Sequence, residues 1–425
     1  MAWRMQWVGM LLNQIQFSLL QEYGAMASPV AIVGLAQTEF KHYYTDTILP
    51  DLVRRAAVAA LAEAHLHFTD IDAVVCAMAP DALIGVMHAE RWVVDAAAAV
   101  GKPLLRVNTG GATGLSALQA GYQHVASGLF ETVLVIGAER VGESGDAQTL
   151  LNKIWDPVYE RRLPLNTITM LAMQAVRFFE KYGATEVDMA RVAVKNRRNG
   201  TRNQYAHLRN EVTLEEVLQS RMVSYPIKLY DACPQSSGAA AVVLSRGELV
   251  ERYTDRPAWI RGLGCSTGTY WMGDRVGPKA LSDYAEAPAM QIAVEAAYAQ
   301  AGVTAADIDV AELYAPFSCV ELHAIEDAGL CERGSVTARL ADGYFDLGGA
   351  IPVNPSGGVM CANPIAVTGL VRAIECALQV TNRAGEHQVK SANLGLATSI
   401  GGAHQFFTAM VIGSEPGARY QKGVL

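Results

Sequence analysis

Little of this 425-residue chain is charged: Asp, Glu, Lys and Arg make up 18%, and they leave a net charge of −8. That balance excludes nucleic acid as the main partner, although a local basic cluster can still hold a phosphate. Seven cysteines, Cys76, Cys233, Cys265, Cys319, Cys331, Cys361 and Cys376, lie scattered without Cys-x-x-Cys spacing. The pattern argues against a zinc site or a disulfide framework and fits reduced thiols in a cytoplasmic protein. No apolar run reaches 18 residues, so no membrane-spanning helix is expected. No glycine-rich dinucleotide or P-loop motif sits between a strand and a helix, and no metal-ligand spacing stands out. Neither a metal nor a permanently bound cofactor is expected.

What the chain does have is apolar bulk and glycine: 51% hydrophobic residues and 38 glycines. This is the composition of an α/β protein with a large buried sheet. Runs such as "TVLVIGA" (132–138), "AAAVVLS" (239–245) and "FFTAMVIG" (406–413) have the length of buried strands. Residues 1–27 read as an N-terminal extension ahead of the first core strand. Gln6, Asn13, Gln14 and Gln16 interrupt the apolar stretch that a signal peptide would need.

The chain echoes itself. "AALAEAHLHFTDIDAVV" (59–75) and "AAYAQAGVTAADIDVAEL" (296–313) each run from an alanine-rich helix through a turn to Asp-Ile-Asp and an apolar strand. A candidate strand precedes each, and a Val-Asn turn follows each, at a separation near 240 residues. Two related α/β halves are therefore expected, 28–250 and 251–425. The charged stretch 246–258 joins them. Residues 140–235, richer in Arg, Asn, Tyr and Met, read as a helix-and-loop insertion in the first half.

"RVNTGGATGLSAL" (106–118) reads as a strand, a glycine-rich turn and a helix start. Such a turn aims a reactive or anionic group at a helix N-terminus, yet it carries no strong nucleophile. Together with "KNRRNGTRNQYAHL", "YDACPQSSGAAAVVL", "AELYAPFS", "VNPSGGVMCANPIAVTG" and "SIGGAHQ", in this order, it resembles the thiolase superfamily. The likeness is to the sterol-carrier-protein thiolases and their lipid-transfer-like relatives, and it runs from about residue 28 to 415. The resemblance implies a thiolase fold, a five-layered αβαβα arrangement of two related halves, acting as a homodimer on acyl-CoA. Coenzyme A would enter as the substrate's thioester.

The family's nucleophilic motif, Asn-x-x-Cys-x-[Ser/Thr]-Gly, matches Asn108, Thr113 and Gly114, with Gly111 where the cysteine belongs. The two family histidines fall on Asn363 and Tyr314, and the second reactive cysteine falls near Ser399. Without a thiolate there is no covalent acyl-enzyme. A site that can still hold an enolate oxygen can perform a retro-aldol reaction, and the resemblance implies such cleavage of a β-hydroxyacyl-CoA with a branched or steroidal side chain. It releases a ketone or aldehyde and a shorter acyl-CoA. Some lipid-transfer-like relatives are aldolases of this kind, paired with a small zinc-ribbon and OB-fold subunit. The alternatives are a 3-ketoacyl-CoA thiolase or acetyl-CoA acetyltransferase, and a non-catalytic acyl-CoA-binding scaffold.

On this reading Tyr314 is the acid/base and Asn363 an amide donor to the developing oxyanion. Tyr344 and His404 are reserve acid/base groups, and Cys361 is a stand-in nucleophile, although a buried cysteine is more often a packing group. The absent side chain of Gly111 would leave room for a bulky β-substituent. Asn354, Gly357 and Gly358 would border the cavity or make a tight turn, and Ser399 would lie beside it. Lys195, Arg197, Arg198 and Arg202 form the densest basic cluster, placed to meet the phosphates of CoA or simply solvated.

Overall fold

The computed structural model describes residues 28–141, 146–277 and 280–417. The expected N-terminal extension lies outside them. Eleven described strands are β1 (Val30–Gln37), β2 (Ala73–Ala77), β3 (Leu104–Val107), β4 (Thr132–Arg140), β5 (Met222–Ser224), β6 (Ile227–Lys228), β7 (Ser237–Arg246), β8 (Ala258–Thr267), β9 (Val310–Glu312), β10 (Leu394–Gly401) and β11 (Phe406–Gly413). The helices of eight residues or more are α1 (Leu49–Glu63), α2 (Thr113–Ala126), α3 (Thr167–Tyr182), α4 (Glu186–Gly200), α5 (Pro288–Ala301), α6 (Ser318–Asp327) and α7 (Ile365–Val380).

Nine strands form one sheet in the order β3-β2-β4-β7-β1-β8-β11-β10-β9. Within each half the order is the mirror of the other: the first and last strands of each half meet at the centre, where Ala31 and Ile32 of β1 pair with Trp259 and Ala258 of β8. A parallel bridge from Ala311 to Val353 completes the second half where β3 completes the first. The repeat visible in the sequence is thus a repeat of topology.

Side-chain alternation sorts the strands into layers. Leu134, Ile136, Ala239, Ala241 and Val243 pack under α1. Val133, Val135, Val242 and Leu244 face the other way, onto α2 and α7, and share that core with Ile260, Met410 and Ile412 of the second half. Ala409, Val411 and Leu396 face outward onto α5 and α6. The result is five layers, with α2 and α7 as the central pair. The 140–235 segment supplies α3, α4 and the β5–β6 hairpin.

Polar groups are also driven into this core. Arg372 of α7, 1% exposed, pairs with Glu312 at the end of β9 and donates to Ser356 Oγ at 2.8 Å. Ser356 Oγ in turn donates to Glu312 Oε2 at 2.9 Å. The network pins the 354–358 turn to the sheet. Arg372→Met leaves the Glu312 carboxylate buried without its cation, which costs about 3–5 kcal/mol by analogy with broken buried pairs. Chemical denaturation of the two proteins side by side measures the loss; an unchanged midpoint would show the pair to be dispensable.

Candidate active site

The C-terminal ends of parallel strands and the N-termini of the helices that follow them gather at one place, where open α/β sheets bind ligands. The β3–α2 turn, the β9–α6 loop, the end of β10 and the start of α7 all meet there. Thr113 Oγ1 donates to the Gly110 carbonyl at 2.6 Å and accepts from Thr109 N–H at 2.8 Å, which fixes the turn. Ser399 Oγ donates to the Ala112 carbonyl at 3.3 Å, so β10 is tied to the same turn.

Gly111 is the centre of the arrangement. A Cβ built on it would lie 2.6 Å from Tyr314 Oη and 2.4 Å from the Ile400 carbonyl oxygen. The space expected to admit a substrate branch is therefore already filled, by a phenol and a main-chain carbonyl. Tyr314, 5% exposed, reaches it from the loop after β9, where its own N–H donates to Thr398 Oγ1 at 3.1 Å. Glycine at 111 and tyrosine at 314 occupy one volume between them.

Tyr314 Oη donates to Asn363 Oδ1 at 3.4 Å, and Thr368 Oγ1 donates to the same oxygen at 2.9 Å. The amide is thereby oriented, and its Nδ2 donates to Cys233 Sγ at 3.1 Å. The Asn363 main chain is held by Ser236, whose Oγ accepts its N–H at 3.1 Å and lies 3.0 Å from His207 Nδ1. Cys233 was not singled out from the sequence. Its cue is that it belongs to "YDACPQSSGAAAVVL", one of the six motifs, 130 positions from Asn363 in the chain.

The electrostatics limit the chemistry. Burial, reinforced by Cys233 and Glu139, raises Tyr314 far above an ordinary phenol, so at neutral pH it is a proton donor and not a base. Burial pushes the Cys233 thiol up to about 11, the Asn363 amide offsetting only part. It pushes Cys361 up to about 12. Neither thiol is a thiolate, the form that attacks a thioester.

Several expected groups are occupied elsewhere. Cys361 Sγ contacts the Asn196 carbonyl at 3.2 Å, packed against Gly200 and Gly357, and so is a core thiol and not a stand-in nucleophile. Lys195 is buried in an ion pair with Glu321 at 2.9 Å and donates to the Val353 carbonyl at 2.6 Å. Arg197, also buried, donates to the Asn210 carbonyl at 3.0 Å. These two cations brace α4 against the core and are not held out for phosphate. Arg198 is half-buried and pairs with Asp346 at 2.9 Å, while among the described residues the Arg202 guanidinium has only a long contact to Asn199 at 3.5 Å. Arg202 is the least engaged cation of the four.

Asn354, fully buried at φ 53°, accepts from Leu313 N–H at 2.8 Å and donates to Glu321 at 2.6 Å. Gly357 and Gly358 have φ of 90° and 61°, and a Cβ on Gly357 would lie 2.7 Å from Gly200 Cα. This turn is glycine-rich because two backbones touch, and Asn354 holds the end of β9 from which Tyr314 projects. Tyr344 is half-buried under the Arg339 guanidinium, 4.7 Å from its ring centre, with Phe345 as its aromatic neighbour. His404 lies edge-on to His323 at 5.2 Å, kept neutral by burial, with Nε2 unpartnered. No described hydrogen bond joins Tyr344 or His404 to Tyr314 or Asn363.

Residues 30–248 match the family description "Thiolase, N-terminal domain", and residues 278–414 match "Thiolase C-terminal domain-like". The chain belongs to the thiolase superfamily. Within it, the likeness is to the sterol-carrier-protein branch. Acetyl-CoA acetyltransferase of Methanothermobacter thermautotrophicus is 32% identical over 88% of this chain and 96% of its own length. Sterol carrier protein 2 of Gallus gallus is 29% identical over 94% of this chain and 74% of its own. Among solved structures, one titled "Ltp2-ChsH2(DUF35) aldolase" superposes with a TM-score of 0.78 at 26% identity, covering 92% of this chain and 98% of that one. This thiolase-superfamily chain therefore has both acyltransferase and aldolase relatives. Among the described residues no helix is long and apolar enough to cross a membrane, and no group of acidic, His and Cys side chains is placed to hold a metal.

Proposed function

We propose that this chain is an acyl-CoA carbon–carbon lyase. It cleaves a β-hydroxyacyl-CoA between Cα and Cβ, with a branched or steroidal acyl group as the favoured substrate class. One observation carries the reading: Tyr314 Oη stands in the volume a nucleophile at position 111 would need. A protonated phenol in that place suits delivery of a proton to an acyl-CoA enolate, and the Asn363 amide suits donation to its oxygen. The aldolase neighbour supports the same reaction class, and its title supports a partner of DUF35 type. We expect a homodimer carrying such a small subunit, with CoA as carrier of the substrate and Arg202 and Arg198 nearest to free for its phosphates.

The second reading is a CoA-dependent acyltransferase, favoured by the methanogen relative. It needs a thiolate, and Cys233 is the thiol that lies against Asn363. A scaffold without activity would have no need of an oriented Tyr314–Asn363–Thr368 chain. The separating assay gives the full chain, alone and with a DUF35-type subunit, a β-hydroxyacyl-CoA or a 3-ketoacyl-CoA. Ketone and shorter acyl-CoA released with no added CoA is the expected result. Cleavage of the ketoacyl substrate that requires CoA and is lost in Cys233→Ala would replace the lyase with a thiolase. Binding of acyl-CoA with neither cleavage would leave the scaffold.

A further inference from the structure

A retro-aldol cleavage needs a group that removes the β-hydroxyl proton, and Tyr314, held protonated, does not supply it at neutral pH. Glu139 stands at the end of β4, opposite Gly238 of β7. Strand alternation aims it inward: Val133 and Val135 pack on the central helices, and a Cβ on Gly137 would lie 3.1 Å from Val367 of α7. Glu139 follows two residues on along the same face. On either side of it, Ala79 and Val141 cluster with Ala366, beside the first turn of α7 that Asn363 precedes.

The carboxyl group is fully buried. Its Oε1 accepts the Ala79 N–H at 2.6 Å, and its Oε2 has no hydrogen-bond partner among the described residues. An orphaned carboxyl oxygen in a packed interior costs stability and calls for a reason. Its charged neighbour is Arg106, and the neutral phenol of Tyr314 also lies within its electrostatic reach. Arg106, on β3, is itself engaged by Asp81 at 2.5 Å and Glu90 at 2.6 Å and donates to the Ala79 carbonyl. The charge of Glu139 in turn contributes to raising Tyr314, so the two groups share one electrostatic neighbourhood.

We propose that Glu139 is the base of this site and that its free Oε2, beside the first turn of α7, takes the substrate's β-hydroxyl proton. The inference rests on the lyase reading. As the carboxylate takes that proton, the O–H electrons form the new carbonyl and the Cα–Cβ bond breaks. The bond's electron pair enters the thioester as an enolate, and Tyr314 gives its phenolic proton to the enolate carbon. The proton on Glu139 then returns to the Tyr314 oxygen, so the cycle closes with no net proton gained or lost.

Burial pushes Glu139 up to about 8, with Ala79 N–H and Arg106 offsetting only part. The active form is the carboxylate, so the rate should rise with pH through that region. Glu139→Gln keeps the Ala79 hydrogen bond and should lower kcat by roughly 100-fold or more, with a flat pH profile. Glu139→Asp, shorter but ionisable, should keep a rising profile at reduced rate. Infrared difference spectra add a readout without turnover: a protonated-carboxyl band absent from Glu139→Gln should titrate in wild type and shift when a β-hydroxyacyl-CoA binds. An unchanged pH profile and rate in Glu139→Gln would overturn the assignment. If the wild-type protein proves inactive on every β-hydroxyacyl-CoA, the lyase reading fails by itself. The band then decides about Glu139: a shift on binding acyl-CoA supports a ligand-facing carboxyl, and no shift rejects it.

Discussion

Tyr314→Phe, which removes one oxygen atom, should lower kcat for retro-aldol cleavage by about 10²- to 10⁴-fold, the range of a lost general acid. The fold should tolerate it. The phenol's one hydrogen bond is long, 3.4 Å to Asn363 Oδ1, and Thr368 still satisfies that oxygen. A neutral hydrogen bond contributes about 1 kcal/mol net, so the loss of stability should be small. KM should change little, because the proton is needed after substrate is bound. Steady-state kinetics with thermal unfolding measure both. A Phe variant with the wild-type rate would remove Tyr314 from the chemistry, and a variant that unfolds outright would make the residue a packing group.

Gly111→Cys, which restores the family nucleophile on paper, should produce no thiolase. Its Cβ would have to share space with the Ile400 carbonyl at 2.4 Å and Tyr314 Oη at 2.6 Å. Both are closer than van der Waals contact allows, and the nearer is main chain. Overpacking of this kind costs about 1–3 kcal/mol or more. The lyase activity should fall as well, because Tyr314 is displaced. Adding Tyr314→Phe removes the contact with the phenol oxygen and leaves that with Ile400, so the double variant should also lack CoA-dependent cleavage. Thermal unfolding, thiol alkylation and a thiolysis assay test this together. A stable Gly111→Cys protein that cleaves a ketoacyl-CoA with CoA would show that the covalent step had merely been switched off.

The two substitutions bear on one question: whether position 111 is a vacancy or half of an exchange. From the sequence, glycine in the nucleophile's place reads as empty room. The volume is in fact taken by a residue 203 positions later, the tyrosine that stands where the family has histidine. The two departures from the family pattern are one event in space, and a linear reading sees them separately. The same limit explains Lys195 and Arg197. Four cations in eight residues look like a phosphate site, but α4 is packed on opposite faces, and Lys195 and Arg197 are buried on the two sides against Glu321 and Asn210. Cys361 shows the opposite limit. It is near Asn363 in sequence, but α4 covers it with the Asn196 carbonyl and Gly200. Cys233 comes to Asn363 from 130 residues away.

The sequence by itself determined what short-range pattern encodes. Alternating and continuous apolar runs specified buried strands, a repeat near 240 residues specified two related halves, and six ordered motifs specified the superfamily. It also determined the absence of cysteine at position 111, and hence that a family-type acyl-enzyme is not formed there. The tertiary structure decided everything that depends on which distant groups share a volume. It closed the space at Gly111 with Tyr314, oriented Asn363 between Thr368 and Cys233, and buried Lys195. It also left one oxygen of Glu139, on the inner face of β4, without a partner among the described residues. The physical reason is that strand and helix formation follow local periodicity. Proton affinity and reactivity follow burial and neighbours, and those exist only once the halves have packed on α2 and α7.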